Sequence, residues 1–263
     1  MRIGFLDNRQ KKFTCDVIKN LKIKKYDVSF ADIHSKKYDM LINLQNSQKV
    51  FLKKHSLNNV YVLNNPFSYV NDILLSNLCE NMGIPHKNNF VVSNDKDIVR
   101  ISSLMNFPVS VKPVDSDDFF VLKSIRELKD ALKNSVYDEL LVKETIESSD
   151  IYRVFCFNHE RFVFVKYSYL NGYSSNFFMN RKMFDIERDS KRISVALDMD
   201  FVVLEWAIDL NGNPIFVGVC NEVSEISRKM PPEKYSKIVE FFSEMVEKIA
   251  ISRKKNKYIF DYT

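Results

Sequence analysis

Phe107-Pro108-Val109-Ser110-Val111-Lys112-Pro113 is the stretch that decides the fold, and two later runs complete it: Leu140-Leu141-Val142-Lys143-Glu144-Thr145-Ile146 and Asp150-Ile151-Tyr152-Arg153-Val154-Phe155. Each apolar run has strand length and is rich in β-branched or aromatic residues. Lys112, Glu144 and Arg153 place a charge near an end of each run. Between the first two runs, residues 125–132 carry apolar side chains at helical spacing. A strand, a helix and two more strands that bring these charges into one space indicate a nucleotide site.

This string resembles the central part of ATP-grasp ligases, of the RimK-like group that includes the ribosomal-protein glutamate ligase. That family reads "fPvvlKP", a glycine-rich loop, "vlvqEyI" and then "DiRvfvv", and Lys112, Glu144, Asp150 and Arg153 stand at the matching places. The similarity extends thinly from about residue 1 to residue 249. It implies an α/β fold with an N-terminal parallel lobe (1–82), a small central lobe (83–146) and a C-terminal antiparallel sheet with helices (147–263).

The hydrophobic pattern predicts individual elements. Strand–helix alternation in the first 63 residues predicts a small parallel sheet. Beyond it, we expect Asp95 to cap a helix over 98–105, and Asn158-His159-Glu160 to turn a hairpin. Residues 169–183 are expected to form a loop. The remaining predicted helices are 13–21, 50–57, 72–82, 188–197 and 235–249, and the remaining predicted strands are 89–92, 201–209 and 214–220.

Composition restricts the class of protein. The chain has 263 residues, of which 45% are hydrophobic and 28% charged, so it can bury a sizeable core and is not disordered. The net charge of +5 comes without a run of five or six like charges, which indicates a solvated lysine-rich surface and does not indicate a nucleic-acid partner. The 4 cysteines form no Cys-x-x-Cys pair. With no signal peptide and no apolar run of membrane length, we expect a reduced cytoplasmic protein that does not enter a membrane.

The resemblance implies roles for particular residues. Lys112 and Arg153 would bind phosphate or acyl phosphate, and the segment with Lys143, Glu144 and Ile146 would bind adenosine. We expect the side chain of Arg153 to face a cleft on the side of its strand opposite the core. The resemblance also implies that Arg153 and Lys166, which matches a basic family position, are catalytic, and that Asp150 and Asn176 contribute to cofactor binding. All four histidines, His34, His55, His86 and His159, are interpreted as surface residues.

Metal binding is the hardest requirement for this sequence. Mg²⁺ prefers hard oxygen ligands. Glu205, inside an apolar strand, matches the family's first acid. In the next strand Gly218 and Cys220 stand where the family has the glutamate and asparagine of "E-V-N", so Asn221 and Glu222 could replace them only if the strand bulges.

Two other departures concern the phosphates. The family's phosphate loop is glycine-rich because backbone N–H groups approach the phosphates closely. Here residues 114–119 contain no glycine and three aspartates, and the whole chain has only 5 glycines. Asn71-Asp72 also stands where the family has "D-K", so an acid replaces a second phosphate-binding lysine.

These observations leave two principal functions open. The first is a divergent ligase that uses ATP and Mg²⁺ to join a carboxylate to an amine through an acyl phosphate. Its acceptor would be an amino acid, another small molecule, a peptide or a protein tail, with the aromatic stretch 167–178 as a candidate wall. The second is a catalytically degenerate ATP-grasp protein that acts as a binding or scaffold subunit. A third, an RNA-associated protein, predicts binding that depends steeply on salt. The sequence is compatible with a protein partner and with a homo-oligomer.

Overall fold

The structure is a computed structural model that describes residues 1–6, 12–30, 38–44, 61–63, 72–113, 119–146, 151–168, 172–174, 181–220 and 230–260. The chain divides into two compact units. The first contains Met1–Tyr69, Asp150–Glu205 and Val219–Thr263, and the second contains Val70–Ser149 and Trp206–Gly218. The predicted three-lobe boundaries stay a prediction. No helix in the described residues is long and apolar enough to span a bilayer.

The first unit begins with the predicted parallel sheet. Strands β1 (Arg2–Leu6), β2 (Asp27–Phe30), β3 (Met40–Asn43) and β4 (Tyr61–Leu63) are ordered β2-β1-β3-β4, and all pairs are parallel. Helix α1 (Lys12–Ile23) connects β1 to β2 and buries its apolar stripe, as its periodicity predicts. A Cβ atom on Gly4 would lie 2.8 Å from the ring of Tyr38, so glycine lets β1 pass close to that ring.

The second unit is built on an antiparallel sheet. Its elements are α2 (Asp72–Met82), β5 (Asn89–Val92), α3 (Asp95–Ser102), β6 (Val109–Pro113), β7 (Phe120–Leu122), α4 (Ile125–Asn134) and β8 (Leu140–Glu144). The strand order is β5-β8-β6-β7. Gly83, at φ +64°, follows α2 as the predicted helix stop. The sheet and helices α3 and α4 enclose an apolar core that includes Val109, Val142 and Leu128.

A five-stranded sheet carries the third predicted region. Its strands are β9 (Ile151–Phe157), β10 (Arg161–Ser168), β11 (Gly172–Ser174), β12 (Phe201–Ile208) and β13 (Pro214–Val219), in the order β11-β10-β9-β12-β13. The predicted hairpin between β9 and β10 is confirmed: Asn158 and His159 both have positive φ in its turn. Helices α5 (Arg181–Ala196) and α6 (Pro232–Phe260) complete the described elements.

One apolar core in the first unit joins the parallel sheet to the strands of the hairpin and to α6. Phe13 of α1 meets Phe242 of α6 edge-on at 5.4 Å between ring centroids, and Phe242 contacts Phe201 of β12 at 5.0 Å. Phe155 and Val165, from β9 and β10, belong to the same core. Elements from 1–69, 150–205 and 219–263 therefore share one hydrophobic core.

Several element predictions needed correction. Asn94, and not Asp95, caps α3: its Oδ1 accepts hydrogen bonds from the backbone N–H groups of Lys96 and Asp97. The stretch 169–183 is not all loop, because Gly172–Ser174 forms β11 and α5 begins at Arg181. Helix α6 continues to Phe260, well beyond its predicted end. The predicted helix at 50–57 lies outside the described residues.

Candidate functional site

Arg153 is the centre of a polar cluster in the first unit. Its Nε donates to Oε1 of Glu205 at 2.8 Å, and Nη2 lies 2.7 Å from the same oxygen. Nη1 donates to the hydroxyl of Tyr173 at 2.6 Å, and the guanidinium carbon lies 4.1 Å from the ring centroid of Tyr167. The side chains of Arg153 and Glu205 are only 14% and 15% exposed. Glu205, the acid inside an apolar strand, therefore has Arg153 as its counter-charge.

The prediction that Arg153 faces away from the core is wrong. Arg153 pairs with Val165 across the hairpin, so its side chain is on the same face as Val165 and Phe155, both of the main core. Lys166 pairs with Tyr152 and points to the other face. Residues 154–157 are all buried, so the strand is covered on both sides and shows no polar–apolar alternation. The structure does not bring Arg153 and Lys166 together on one face.

The electrostatics of this cluster favour a permanently charged arginine. Burial by itself lowers the pKa of Arg153, but electrostatic interactions with Cys220, Glu205 and Tyr173 outweigh burial, so the pKa lies above its ordinary value. Burial raises the pKa of the Tyr173 hydroxyl, while Arg153 opposes that rise. Tyr173 is therefore neutral at physiological pH, and its hydroxyl can accept the N–H of Nη1 while it keeps its own proton.

Glu205 retains one carboxylate oxygen for a ligand. Its Oε1 is engaged by Arg153, whereas Oε2 has no hydrogen bond within the described part of the chain. A protein commonly holds Mg²⁺ through one or two carboxylates, with water and substrate phosphates completing the shell. Oε2 of Glu205 could supply one such carboxylate ligand, the minimum for this kind of Mg²⁺ site. The described residues contain no cluster of three His, Cys, Asp or Glu side chains that could hold a metal, and Asn221 and Glu222 lie outside them.

Two of the residues predicted to bind adenosine are engaged in the second unit. Oε2 of Glu144 accepts hydrogen bonds from the backbone N–H of Asn88 at 3.2 Å and from its side-chain amide at 2.9 Å. Lys143 forms an ion pair with Asp72, the acid that replaces a lysine of the family. Each contact is consistent with a structural role for the end of β8.

Lys112 differs from these charged residues. It lies in β6 opposite Leu141, half-buried between the buried Val111 and Pro113. Its ammonium group forms no hydrogen bond or ion pair with any residue that the structure describes. A half-buried lysine without a counter-charge is suited to bind an anion such as a phosphate.

Two buried oxygen atoms mark the neighbourhood of Lys143 and Glu144. Within the described ranges, Oδ1 of Asn89 and Oγ1 of Thr145 are buried and have no hydrogen-bond partner. Native proteins pair nearly all such atoms, with protein, water or ligand. Asn89 lies opposite Lys143, and Thr145 follows Glu144. These atoms fit a polar ligand at the end of β8, next to Ile146, which is half-buried there.

Sequence reasoning missed Asn88, Asn89, Thr145 and Tyr173 as polar neighbours of its predicted residues. Nothing in a single asparagine or threonine distinguishes it from a turn residue, and Tyr173 fell in a predicted loop. The predicted residues Asp150 and Asn176, and the loop 114–118, lie outside the described residues. Of the histidines, His86 and His159 are half-buried and hydrogen-bonded, to the carbonyl of Ile84 and to Ser194, so they are not simple surface residues.

The architecture corresponds over nearly its full length to solved ATP-grasp structures. A RimK-domain ATP-grasp protein from Sphaerobacter thermophilus is 12% identical, with a TM-score of 0.73 over 93% of this chain and 99% of that one. A D-alanine–D-alanine ligase from Bacillus anthracis complexed with ATP is 15% identical, with a TM-score of 0.71 over 97% and 99%. The macrocyclase MdnC from Microcystis aeruginosa, bound with precursor peptide MdnA, is 10% identical, with a TM-score of 0.66 over 92% and 99%.

These comparisons show that the chain has the ATP-grasp fold, as the resemblance implied. No family model and no curated protein matches the sequence. Identities of 10–15% establish the fold and leave the activity to be argued from this chain's own residues.

Proposed function

We propose that this protein is a divergent ATP-grasp ligase that couples ATP hydrolysis to the joining of a carboxylate and an amine. The observation that carries the proposal is the near-complete correspondence with ATP-grasp structures together with Lys112, a half-buried cation on β6 that has no counter-charge among the described residues.

In this proposal each described residue has a limited task. The ammonium of Lys112 binds a phosphate oxygen as a point charge. The end of β8 accepts hydrogen bonds from the adenosine through the oxygens of Asn89 and Thr145, which have no partner among the described residues. Arg153 neutralises a phosphoryl or carboxylate oxygen, because a guanidinium provides five N–H donors and its present partners use at most three. Oε2 of Glu205 would hold Mg²⁺.

Bound ATP would supply the phosphoryl group that turns a carboxylate into an acyl phosphate, and Mg²⁺ would neutralise charge on the phosphates. For the amine acceptor we propose a peptide or an amino acid. MdnC and the ATP-grasp ligase PsnB are both seen with precursor peptides, whereas the ligase from Bacillus anthracis is named for D-alanine. Asp150, Lys166, Asn176, Asn221 and Glu222 stay predictions.

Calorimetric titration with ATP, with and without Mg²⁺, tests this proposal. The wild type is compared with Lys112→Ala, Glu205→Gln and the control Lys123→Ala, an exposed lysine that follows β7. We expect Mg²⁺-dependent binding that Lys112→Ala and Glu205→Gln weaken and Lys123→Ala does not. ADP release in the presence of candidate carboxylates and amines then tests catalysis. The absence of binding at millimolar ATP would refute the ligase.

The ion pairs favour one alternative, a degenerate ATP-grasp protein that serves as a binding or scaffold subunit. Arg153 is paired with Glu205 and Lys143 with Asp72, so both pairs are self-neutralised without a ligand. The glycine-free stretch 114–119 agrees with this alternative. It predicts no ATP binding in the titration above and no effect of Lys112→Ala on association with the partner.

A further inference from the structure

The aromatic rings of Tyr173 and Tyr167 both contact the guanidinium of Arg153. They face each other across the antiparallel pair of β10 and β11, with ring centroids 5.0 Å apart and ring planes inclined by 58°. The guanidinium carbon of Arg153 lies 4.1 Å from the Tyr167 centroid and 5.5 Å from the Tyr173 centroid. Stacking on an aromatic face restricts the plane of a guanidinium.

Hydrogen bonds fix the rotation of the guanidinium within that plane. Glu205 holds the side of the guanidinium formed by Nε and Nη2, while the Tyr173 hydroxyl holds Nη1 at 2.6 Å. Of the five N–H groups of an arginine, at most three point at these partners. At least two remain, and they belong to Nη1 and Nη2.

We infer that Tyr173 is a positioning residue, which holds Arg153 in the one orientation that presents its remaining N–H groups to an oxygen of an anionic ligand. The inference rests on the proposed function for the identity of that ligand, a phosphoryl or carboxylate group. It does not require Tyr173 to touch the ligand. Loss of the hydroxyl leaves the ring and Glu205 in place but frees Nη1, so the guanidinium samples other rotations.

A first experiment observes Arg153 directly. The protein is labelled with ¹⁵N-arginine, and the Arg153 side-chain signals are assigned from their disappearance in Arg153→Lys. In the wild type we expect separate, slowly exchanging Nη1 and Nη2 signals. In Tyr173→Phe these signals should merge, because rotation about the Cζ–Nε bond becomes fast. The control Tyr152→Phe removes a hydroxyl from the opposite face of β9 and should leave them separate.

A second experiment measures ligand binding with inorganic pyrophosphate and, separately, with ATP. We expect pyrophosphate to shift the Arg153 signals of the wild type, and Tyr173→Phe to bind about tenfold more weakly, as for the loss of one hydrogen bond to a charged group. Tyr152→Phe should bind like the wild type.

The two probes separate the inference from the proposed function. A wild type that binds pyrophosphate at Arg153 but does not bind ATP refutes the ligase and leaves the role of Tyr173 intact. Unchanged Arg153 signals in Tyr173→Phe, equal pyrophosphate affinity of that variant and the wild type, or wild-type Arg153 signals that do not respond to pyrophosphate would each overturn the positioning role.

Discussion

Removal of the charge on Glu205 provides the sharpest test of the Arg153 cluster. Both side chains of the pair are about one-seventh exposed, at 14% and 15%, and the arginine lies on the core face of its sheet. The loss of one partner of a buried ion pair costs about 3–5 kcal/mol, because the other charge remains buried. In Glu205→Gln the amide oxygen can still accept from Nε, and Tyr173 and Tyr167 still contact the guanidinium. We therefore expect a loss of about 2 kcal/mol, near the value of a hydrogen bond to a charged group.

Urea unfolding monitored by circular dichroism measures this loss, with the single variants Glu205→Gln, Glu205→Leu and Arg153→Met and the double variant Arg153→Met/Glu205→Leu. We expect the double variant to be less destabilised than the sum of its single changes by about 2 kcal/mol or more, because it leaves no unpaired charge. The matched control is Asp27→Asn, which breaks the exposed ion pair with Arg2, whose side chains are 45% and 64% exposed. That change should cost less than about 1 kcal/mol. A cost for Glu205→Gln no larger than that of Asp27→Asn would refute the reasoning.

Three further predictions concern other parts of the chain. Asn94→Ala should lower the free energy of unfolding in urea by about 1 kcal/mol, because it removes the N-cap of α3, and Asp95→Ala should have a smaller effect. A larger effect of Asp95→Ala than of Asn94→Ala would show that Asp95 is the cap. Hydrogen bonds from the backbone and hydroxyl of Ser93 lower the pKa of Asp97 below its ordinary value, so its contribution to stability is present above about pH 4 and is lost as pH falls through the folded-state pKa. Urea midpoints of Asp97→Asn and the wild type should therefore differ at pH 7 and converge near pH 2, and a constant difference would contradict this. Gly218→Glu restores the carboxylate that the family has at this position, and no described atom lies within 4 Å of the Cβ position to oppose it. The variant should therefore strengthen Mg²⁺-dependent ATP binding in a calorimetric titration, and Gly218→Gln is its uncharged control.

Local sequence was sufficient for most of the fold. Strands β6, β8, β9 and β10 and helix α4 follow directly from β-branched runs and from apolar residues at helical spacing. Hydrophobic periodicity is a local property, and any compact arrangement that buries the apolar stripe or face stabilises the helix or strand that carries it. The order of weak motifs around Lys112, Glu144 and Arg153 then indicated ATP-grasp, and the structural comparisons agree on the fold.

The ends of elements were less accessible to sequence reasoning. Both Asn94 and Asp95 are good capping residues, and only the hydrogen bonds of Asn94 show which one precedes the first turn of α3. Residues 172–174 contain one aromatic residue between a glycine and a serine, too short a pattern for a strand. They become β11 because β10 offers an edge with which Tyr173 and its neighbours can pair.

By itself, the sequence determined the α/β class, the positions of the charges at strand ends and the absence of glycine from residues 114–119. Only the tertiary structure decided which charges neutralise one another: Arg153 with Glu205, Lys143 with Asp72, and Lys112 with no described partner. It also placed Arg153 on the core face and Lys166 on the other, against the original expectation for Arg153. The reason is that a strand buried on both faces has no polar–apolar alternation to reveal its orientation, so the face of each side chain is set by register with strands that are distant in sequence.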